Sequence, residues 1–570
     1  IRRALALKSM LENMSLYILD GEVVVGNTSK HPRGVELFPE YEVSWIEREL
    51  EGDPYPFDQR PGDRYTITDE TRAELEELLP RWHGKTHSER VQSMLPGQIN
   101  QAWKAGVIDS YWLMQGGDGH ITVHLRNLLR KGVRGLREEI ERNLASLDLT
   151  DPGSIDRKSF YEAALISLDG LLAYARRYAG LARELAGTEQ DPARRAELER
   201  VAEACEKVPF EPAETLQEAL QSIWFVQAVI QIETNGHSIS FGRLDQTLYP
   251  YFRRDVDGGR LTLEQAAELL QCFWLKLFTA NKIRDWDSTR FFLGYQVFEN
   301  ITVGGQLYGG RDASNELSFL MLGVQKAVRL AVPSISLRFF DGISEELLQA
   351  AIDVISVGGG QPALYSDETV IPALVNRGID YRDAVNWSVV GCVEPIVEGR
   401  QGYRPNGAAF ISMLKILELV VHGGTDPRTG EVLFQGRKLA DLGSFRELAE
   451  AWEEAARRFI RLQVAMDNII DQSMEEMSPN PFVSCFVEDC IGRGKTIKAG
   501  GAVYDYCGPL LVGVANVGDS LAALRHVVFE DKTLTAEQVV HALSTDFQDG
   551  STSPTGPEIR KVLLAAPKYG

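Results

Sequence analysis

After Asp245 the sequence repeatedly sets a helical apolar pattern beside a short run of β-branched or apolar residues, and this alternation constrains the fold more than any other feature. The short runs are Ile301-Thr302-Val303, Ser334-Ile335-Ser336-Leu337-Arg338, Pro362-Ala363-Leu364-Tyr365 and Ser388-Val389-Val390. Strands separated by helices argue an α/β architecture, although periodicity does not count the strands of such a fold. Upstream, 125–143 reads as an amphipathic helix rich in Leu and Arg, and 159–206 as one long helix with a solvated Arg/Glu face. Residues 215–232 read as a buried apolar helix that stops at Asn235-Gly236. The first 96 residues read as an outer layer in which helices alternate with short extended pieces such as 21–26. Gly423 to Gly430 reads as a hairpin or surface loop, and no internal repeat divides the chain, so one continuous domain over 1–570 is expected.

Charge narrows the function. Sixty Lys and Arg against 81 Asp and Glu leave a formal net charge of -21, which opposes non-specific binding to nucleic acid or an anionic membrane. No run of eighteen apolar residues occurs, and Ile1-Arg2-Arg3-Ala4-Leu5 lacks the apolar core of a signal peptide. The six cysteines are scattered without CxxC spacing, so neither a disulfide framework nor a four-thiolate zinc site is read, and a reducing cytoplasm is expected. Gly304-Gly305 and Gly358-Gly359-Gly360 lack the Walker lysine and serine and read as tight turns, not phosphate cradles.

The chemistry concentrates in Gly391-Cys392-Val393-Glu394-Pro395. A soft, oxidisable sulfur and a carboxylate stand two residues apart, so in an extended segment both would lean the same way. A buried cysteine is most often an inert small hydrophobe, and an ionic cysteine nucleophile wants a histidine that the local stretch does not offer. His120 follows Asp118-Gly119, with His124 four residues later. A helix would put both on one face, which raises zinc, but HExxH is absent and no third ligand is placed, so no metal site is read. His237 and Ser238 follow the end of the buried helix, where they either reach an interior or cap the next element.

Together with Asn235-Gly236-His237-Ser238, Gly242-Arg243-Leu244-Asp245-Gln246, Gln361-Pro362-Ala363-Leu364-Tyr365, Val487-Glu488-Asp489-Cys490 and Gly513-Val514-Ala515-Asn516-Val517-Gly518-Asp519-Ser520, the Gly-Cys-Val-Glu-Pro stretch resembles the glycyl radical enzymes. The resemblance is to the pyruvate formate-lyase-like superfamily, in its dehydratase and lyase branch, and covers nearly the whole chain. It implies a ten-stranded α/β barrel surrounded by helices, with the catalytic cysteine on a loop inside it. Cys392 would become a thiyl radical that takes a hydrogen atom from a small-molecule substrate, and Glu394 would act as base. His120 would reach a substrate oxygen and Ser238 a substrate hydroxyl. Asn406 falls fourteen residues after the cysteine, where dehydratases of glycerol or propanediol carry an aspartate, and this departure weakens those substrates. Arg404, two residues earlier, offers a cationic fork for a carboxylate or sulfonate.

The resemblance further implies a radical stored on a glycine in a C-terminal domain that the 570 residues do not include, the chain being cut at both ends. A separate radical S-adenosylmethionine enzyme would install that radical, and no cofactor is expected on this segment itself. A homodimer and cleavage of a C-O, C-N, C-S or C-C bond are expected. Formate C-acetyltransferase chemistry is disfavoured because Gly391, not a second cysteine, precedes Cys392. Arylacetate decarboxylation and a radical-free binding or scaffold paralogue remain alternatives.

Overall fold

The computed structural model describes residues 1–117, 119–292, 294, 296–402, 409–506 and 508–568, with all their side chains except those of Trp112 and Gln115. It divides into two compact units, Ile1–Glu89 with Gln115–Arg404 and Ser473–Cys507, and Arg90–Met114 with Pro405–Gln472 and Gly508–Gly570.

In the first unit, β1 (Ile121–Thr122) pairs in parallel with β2 (Ile239–Ser240). A second, four-stranded parallel sheet runs β3 (Gly242–Arg243), β4 (Asn300–Gly304), β5 (Ser334–Phe339) and β6 (Ala363–Ser366). An antiparallel pair follows, β7 (Trp387–Val390) and β8 (Glu394–Val397). The four runs read as strands fall in β4, β5, β6 and β7, and helices Glu316–Val328, Glu345–Ile355 and Asp367–Asn376 separate them. The α/β expectation is met.

The register explains the burial. Ile301 pairs with Ile335 and Val303 with Leu337, so one face of β4 and β5 is wholly apolar. The opposite face carries Asn300, Thr302, Ser336 and Arg338, all buried. A buried parallel strand is usually apolar on both sides, so this polar lining sets the interior apart.

Behind the sheets, helix Leu216–Glu233 is buried all round, opened by a reciprocal cap between Thr215 and Glu218. Its Gln227 and Gln231 both donate to Glu299 Oε1 at 2.9 Å, and burial lifts that carboxyl to about 7.

Two local expectations fail. The expected single helix over 159–206 is two, Gly153–Thr188 and Pro192–Lys207, because Asp191 caps a new helix by accepting from Ala193 N and Pro192 supplies its first residue. Residues 21–26 form no strand. Val25 spends its N–H and carbonyl on the Gln221 side chain (2.8 and 2.7 Å), and Trp224 Nε1 donates to Gly26 O at 2.9 Å, so side chains of the buried helix take the place of a neighbouring strand.

The second unit carries a three-stranded sheet in which Phe410–Ser412 lies between Ile108–Asp109, antiparallel, and Leu510–Val512, parallel. The loop after Gly423 closes on itself through a bridge between Thr425 and Val432. Among the described residues no helix is long and apolar enough to cross a membrane.

One ion pair ties the sheet of the first unit to the hairpin. Arg338 and Asp367 are both wholly buried, with Nε to Oδ1 at 2.7 Å. Arg338 also donates to the carbonyls of Trp387 (2.6 Å) and Val385 (3.0 Å), and the Trp387 indole donates to Asp367 Oδ1 at 2.8 Å. Asp367→Ala would strand the guanidinium in the interior, and a loss of about 3–5 kcal/mol is expected from chemical denaturation. An unchanged midpoint would show that Arg338 finds compensation elsewhere.

Candidate active site

Trp387, Val389 and Val397 pack into an apolar cluster with Ile371, Leu374, Ala384 and Val385. Side chains alternate along a strand, so Ser388, Val390, Glu394 and Ile396 lie on the face opposite that cluster. Val390 pairs with Glu394, which leaves Gly391-Cys392-Val393 as a three-residue turn. Cys392 and Glu394 therefore meet through a turn, not along the extended run expected from their spacing.

The turn requires its glycine. Gly391 has φ +64°, and a Cβ there would lie 2.7 Å from Ser238 Oγ and 3.1 Å from Glu394 Oε2. The same closeness brings Ser238 and Glu394 to one point.

Neighbouring strands hold the backbone of the turn. Ser240 Oγ accepts from Gly391 N and Asn300 N, both at 3.1 Å. Asn300 Nδ2 donates to Gly391 O at 3.2 Å and to Ser336 Oγ at 2.9 Å, while Thr302 Oγ1 accepts from Val389 N at 3.0 Å. The Tyr365 hydroxyl donates to Cys392 O at 2.6 Å, and Val393 N donates to Glu394 Oε2 at 3.1 Å. Glu394 Oε1 is buried and accepts from no group among the described residues. A carboxylate oxygen in that position is open to a ligand's proton.

His120 and Ser238 stand one residue before the paired strands β1 and β2. Both adopt left-handed backbone, φ +54° and +66°, a conformation that residues with a Cβ hold only where their surroundings enforce it. His120 N donates to His237 O at 2.9 Å, and a Cβ on Gly119 would come within 2.0 Å of that same carbonyl. The rings of His120 and His237 meet edge to face at 5.8 Å, and His237 also packs against Phe292 and Phe298. Burial pushes the His120 pKa down, against an upward pull from Glu394. His237 is driven well below the usual range, by burial first and then by Arg284. Both imidazoles are neutral near pH 7, so each keeps one donor and one acceptor nitrogen.

His124 shares no helix face with His120, since β1 lies between them. It caps helix Leu125–Ala145 by accepting from Asn127 N at 3.3 Å, and burial followed by Arg126 takes its pKa down to about 4. Arg404 and Asn406 lie outside the described residues. Sequence reasoning gave no role to Ser240, Asn300, Thr302 or Tyr365 and left His237 open. The signal for Asn300 and Thr302 was parity, two polar residues alternating with Ile301 and Val303 in a short strand.

Water can reach Cys392, yet protein crowds it enough that lost solvation, and then the Glu394 carboxylate, push the thiol to about 11. At neutral pH the sulfur keeps its hydrogen. That suits a hydrogen-atom carrier and opposes an ionic nucleophile, which needs a depressed pKa.

The fold and this turn together define an α/β enzyme in which a protonated thiol and a buried carboxylate share one turn. The family model described as pyruvate formate lyase-like matches residues 1–570. The chain is 38% identical over 578 residues to the probable dehydratase YbiW of Escherichia coli, covering all of this chain and 70% of that protein. It is 33% identical to the (2S)-3-sulfopropanediol dehydratase of Klebsiella oxytoca, over 96% of this chain and 66% of that one. A solved structure described for 1,2-propanediol dehydration in Roseburia inulinivorans superposes with a TM-score of 0.95 at 40% identity, covering this whole chain and 71% of that one. The chain belongs to the pyruvate formate-lyase-like family of glycyl radical enzymes, in its dehydratase and lyase branch.

The elevated thiol pKa is directly testable. Alkylation of Cys392 by iodoacetamide, followed by mass spectrometry of its peptide, should keep accelerating with pH up to about 11. Glu394→Gln removes a negative charge beside the thiolate and should move that midpoint down. A wild-type midpoint at an ordinary thiol value near 8.5 would contradict the crowded environment described here.

Proposed function

We propose that Cys392 is the hydrogen-atom relay and Glu394 the base of a glycyl radical dehydratase or lyase. The observation that carries this reading is the pairing, on one three-residue turn, of a thiol that stays protonated with a carboxylate oxygen that has no partner among the described residues. A glycyl radical, installed by a radical S-adenosylmethionine activating enzyme on a C-terminal domain of the full-length protein, supplies the unpaired electron. Cys392 Sγ gives up its own hydrogen atom to that radical and, as a thiyl, takes one from a substrate carbon that bears a hydroxyl. Once that carbon is a radical its hydroxyl becomes acidic, and Glu394 Oε1 accepts the proton as the neighbouring carbon loses its leaving group. Cys392 then returns the hydrogen atom.

The neutral imidazole of His120 and the hydroxyl of Ser238 hold substrate oxygens, and His237 backs His120. The sheets of the first unit belong to the wall of a ten-stranded barrel, whose polar inner face keeps this chemistry away from bulk water. The same reading includes a homodimer in the cytoplasm, with no nucleic acid or membrane as partner.

For the substrate we infer a small vicinal diol that carries an anionic group. The relatives named for 1,2-propanediol and (2S)-3-sulfopropanediol share the diol. A neutral Asn406, with Arg404 two residues before it, favours the sulfonated or carboxylated member, because charge-assisted hydrogen bonds are roughly twice as strong as neutral ones.

In the activated full-length enzyme, Cys392→Ser should abolish turnover with the fold intact, since oxygen holds its hydrogen too tightly for the relay. Glu394→Gln should leave the glycyl radical signal in electron paramagnetic resonance while dehydration falls by about 10²–10⁴-fold, the usual worth of a general base. Wild-type turnover by either variant removes that residue from its role. In direct competition, (2S)-3-sulfopropanediol should be consumed ahead of propane-1,2-diol and glycerol, and the reverse order would overturn the anionic assignment.

A further inference from the structure

The direction in which Cys392 offers its sulfur is set by the two peptide planes that flank its Cα, and both are hydrogen-bonded. The Gly391–Cys392 plane is held by Asn300 Nδ2 on Gly391 O. The Cys392–Val393 plane is held at both ends, by the Tyr365 hydroxyl on Cys392 O at 2.6 Å and by Glu394 Oε2 on Val393 N at 3.1 Å. Tyr365 lies on β6, in register with Arg338, and its ring packs edge to face on Trp387 at 6.2 Å. The phenol therefore reaches the turn from a strand anchored by the Arg338, Asp367 and Trp387 cluster. Burial first, and then Glu394 and Cys392, raise its pKa to about 12, so it remains a donor at neutral pH.

We propose that Tyr365 is a positioning residue, whose hydroxyl locks the Cys392–Val393 peptide so that the sulfur and the Glu394 carboxylate address the same substrate carbon and its hydroxyl. This rests on the relay and base roles proposed above. Tyr365 acts through the carbonyl of Cys392 and the plane it shares with Val393 N, and that plane also orients Glu394. A phenol O–H is close in strength to a thiol S–H, so a loose tyrosine beside a sulfur radical would compete for its hydrogen. Here the phenolic hydrogen points at a carbonyl oxygen, which keeps it out of the transfer.

Tyr365→Phe retains the ring on Trp387 and deletes only the hydroxyl. In the unactivated protein, the Cys392 peptide should be alkylated by iodoacetamide several-fold faster than in wild type, with an unchanged circular dichroism spectrum. In the activated full-length enzyme, the glycyl radical yield should match wild type. With (2S)-3-sulfopropanediol or propane-1,2-diol, kcat should fall by about 100-fold, the cost of a misplacement near 1 Å, while KM changes little. Unchanged alkylation together with unchanged kcat overturns the proposal, and so does a tyrosyl radical signal that grows in wild type when substrate is added, which would make Tyr365 a relay. If wild type turns over neither diol, the substrate reading has failed, and the alkylation comparison, which needs no radical and no substrate, decides the role of Tyr365.

Discussion

The first unit depends on the ion pair between Arg338 and Asp367. Two opposite charges wholly out of water attract strongly but lose their hydration, so such a pair persists only where every remaining donor and acceptor is satisfied. Arg338 meets that condition by spending its other nitrogens on the carbonyls of Trp387 and Val385, and Asp367 by accepting from the Trp387 indole and from Gln306 N. The partners come from β5, from the loop after β4, from the start of the helix after β6, from the end of the short helix Tyr381–Val385 and from β7. One electrostatic requirement thus locates the strand that leads into the Cys392 turn.

A second consequence is the division of the sheet into two faces. The apolar face of β4 and β5 supplies the burial that stabilises the unit, at roughly 25 cal/mol per Å² of apolar area. The polar face would be a liability if its groups had nothing to bind. Most of them bind the backbone of the turn or one another, while Asn300 Oδ1 and Arg243 Nε are buried without a partner among the described residues, as are Thr122 Oγ1, Ser388 Oγ and Glu394 Oε1 on other strands. Buried polar atoms left without a protein partner are positions at which a polar ligand or water can bind.

Much of this was legible in the sequence, and what was missed has physical causes. Strands β4 to β7 announced themselves by short β-branched or apolar runs between helical patterns, and helix Leu216–Glu233 by its apolar pattern and its stop at Gly236. The break at Asp191-Pro192 was visible in residue types but lay within a long helical periodicity, and the cap prevailed over the period. Val23 to Val25 carry strand propensity, yet Gln221 and Trp224, some two hundred residues away, claim the hydrogen bonds that a strand would use. Propensity is local and this competition is not. The pairing of Cys392 with Glu394 was readable as a spacing, but its geometry was misread, since nothing local says that Gly391 adopts a positive φ. His120 and Ser238 came from resemblance to family motifs. Ser240, Asn300 and Tyr365 act on backbone atoms distant in sequence, and no spacing could have paired them with the turn.

The supports of the turn and the groups proposed to meet a substrate are different residues. Ser240, Asn300, Thr302 and Tyr365 grip backbone atoms of the hairpin, whereas His120, Ser238 and the free oxygen of Glu394 are the groups proposed to meet the substrate. Such separation makes the molecule modular in an evolutionary sense. Wall residues can drift toward a new substrate shape while the suspended sulfur keeps its aim, so a single reactive hairpin can be inherited unchanged by descendants that cleave different bonds.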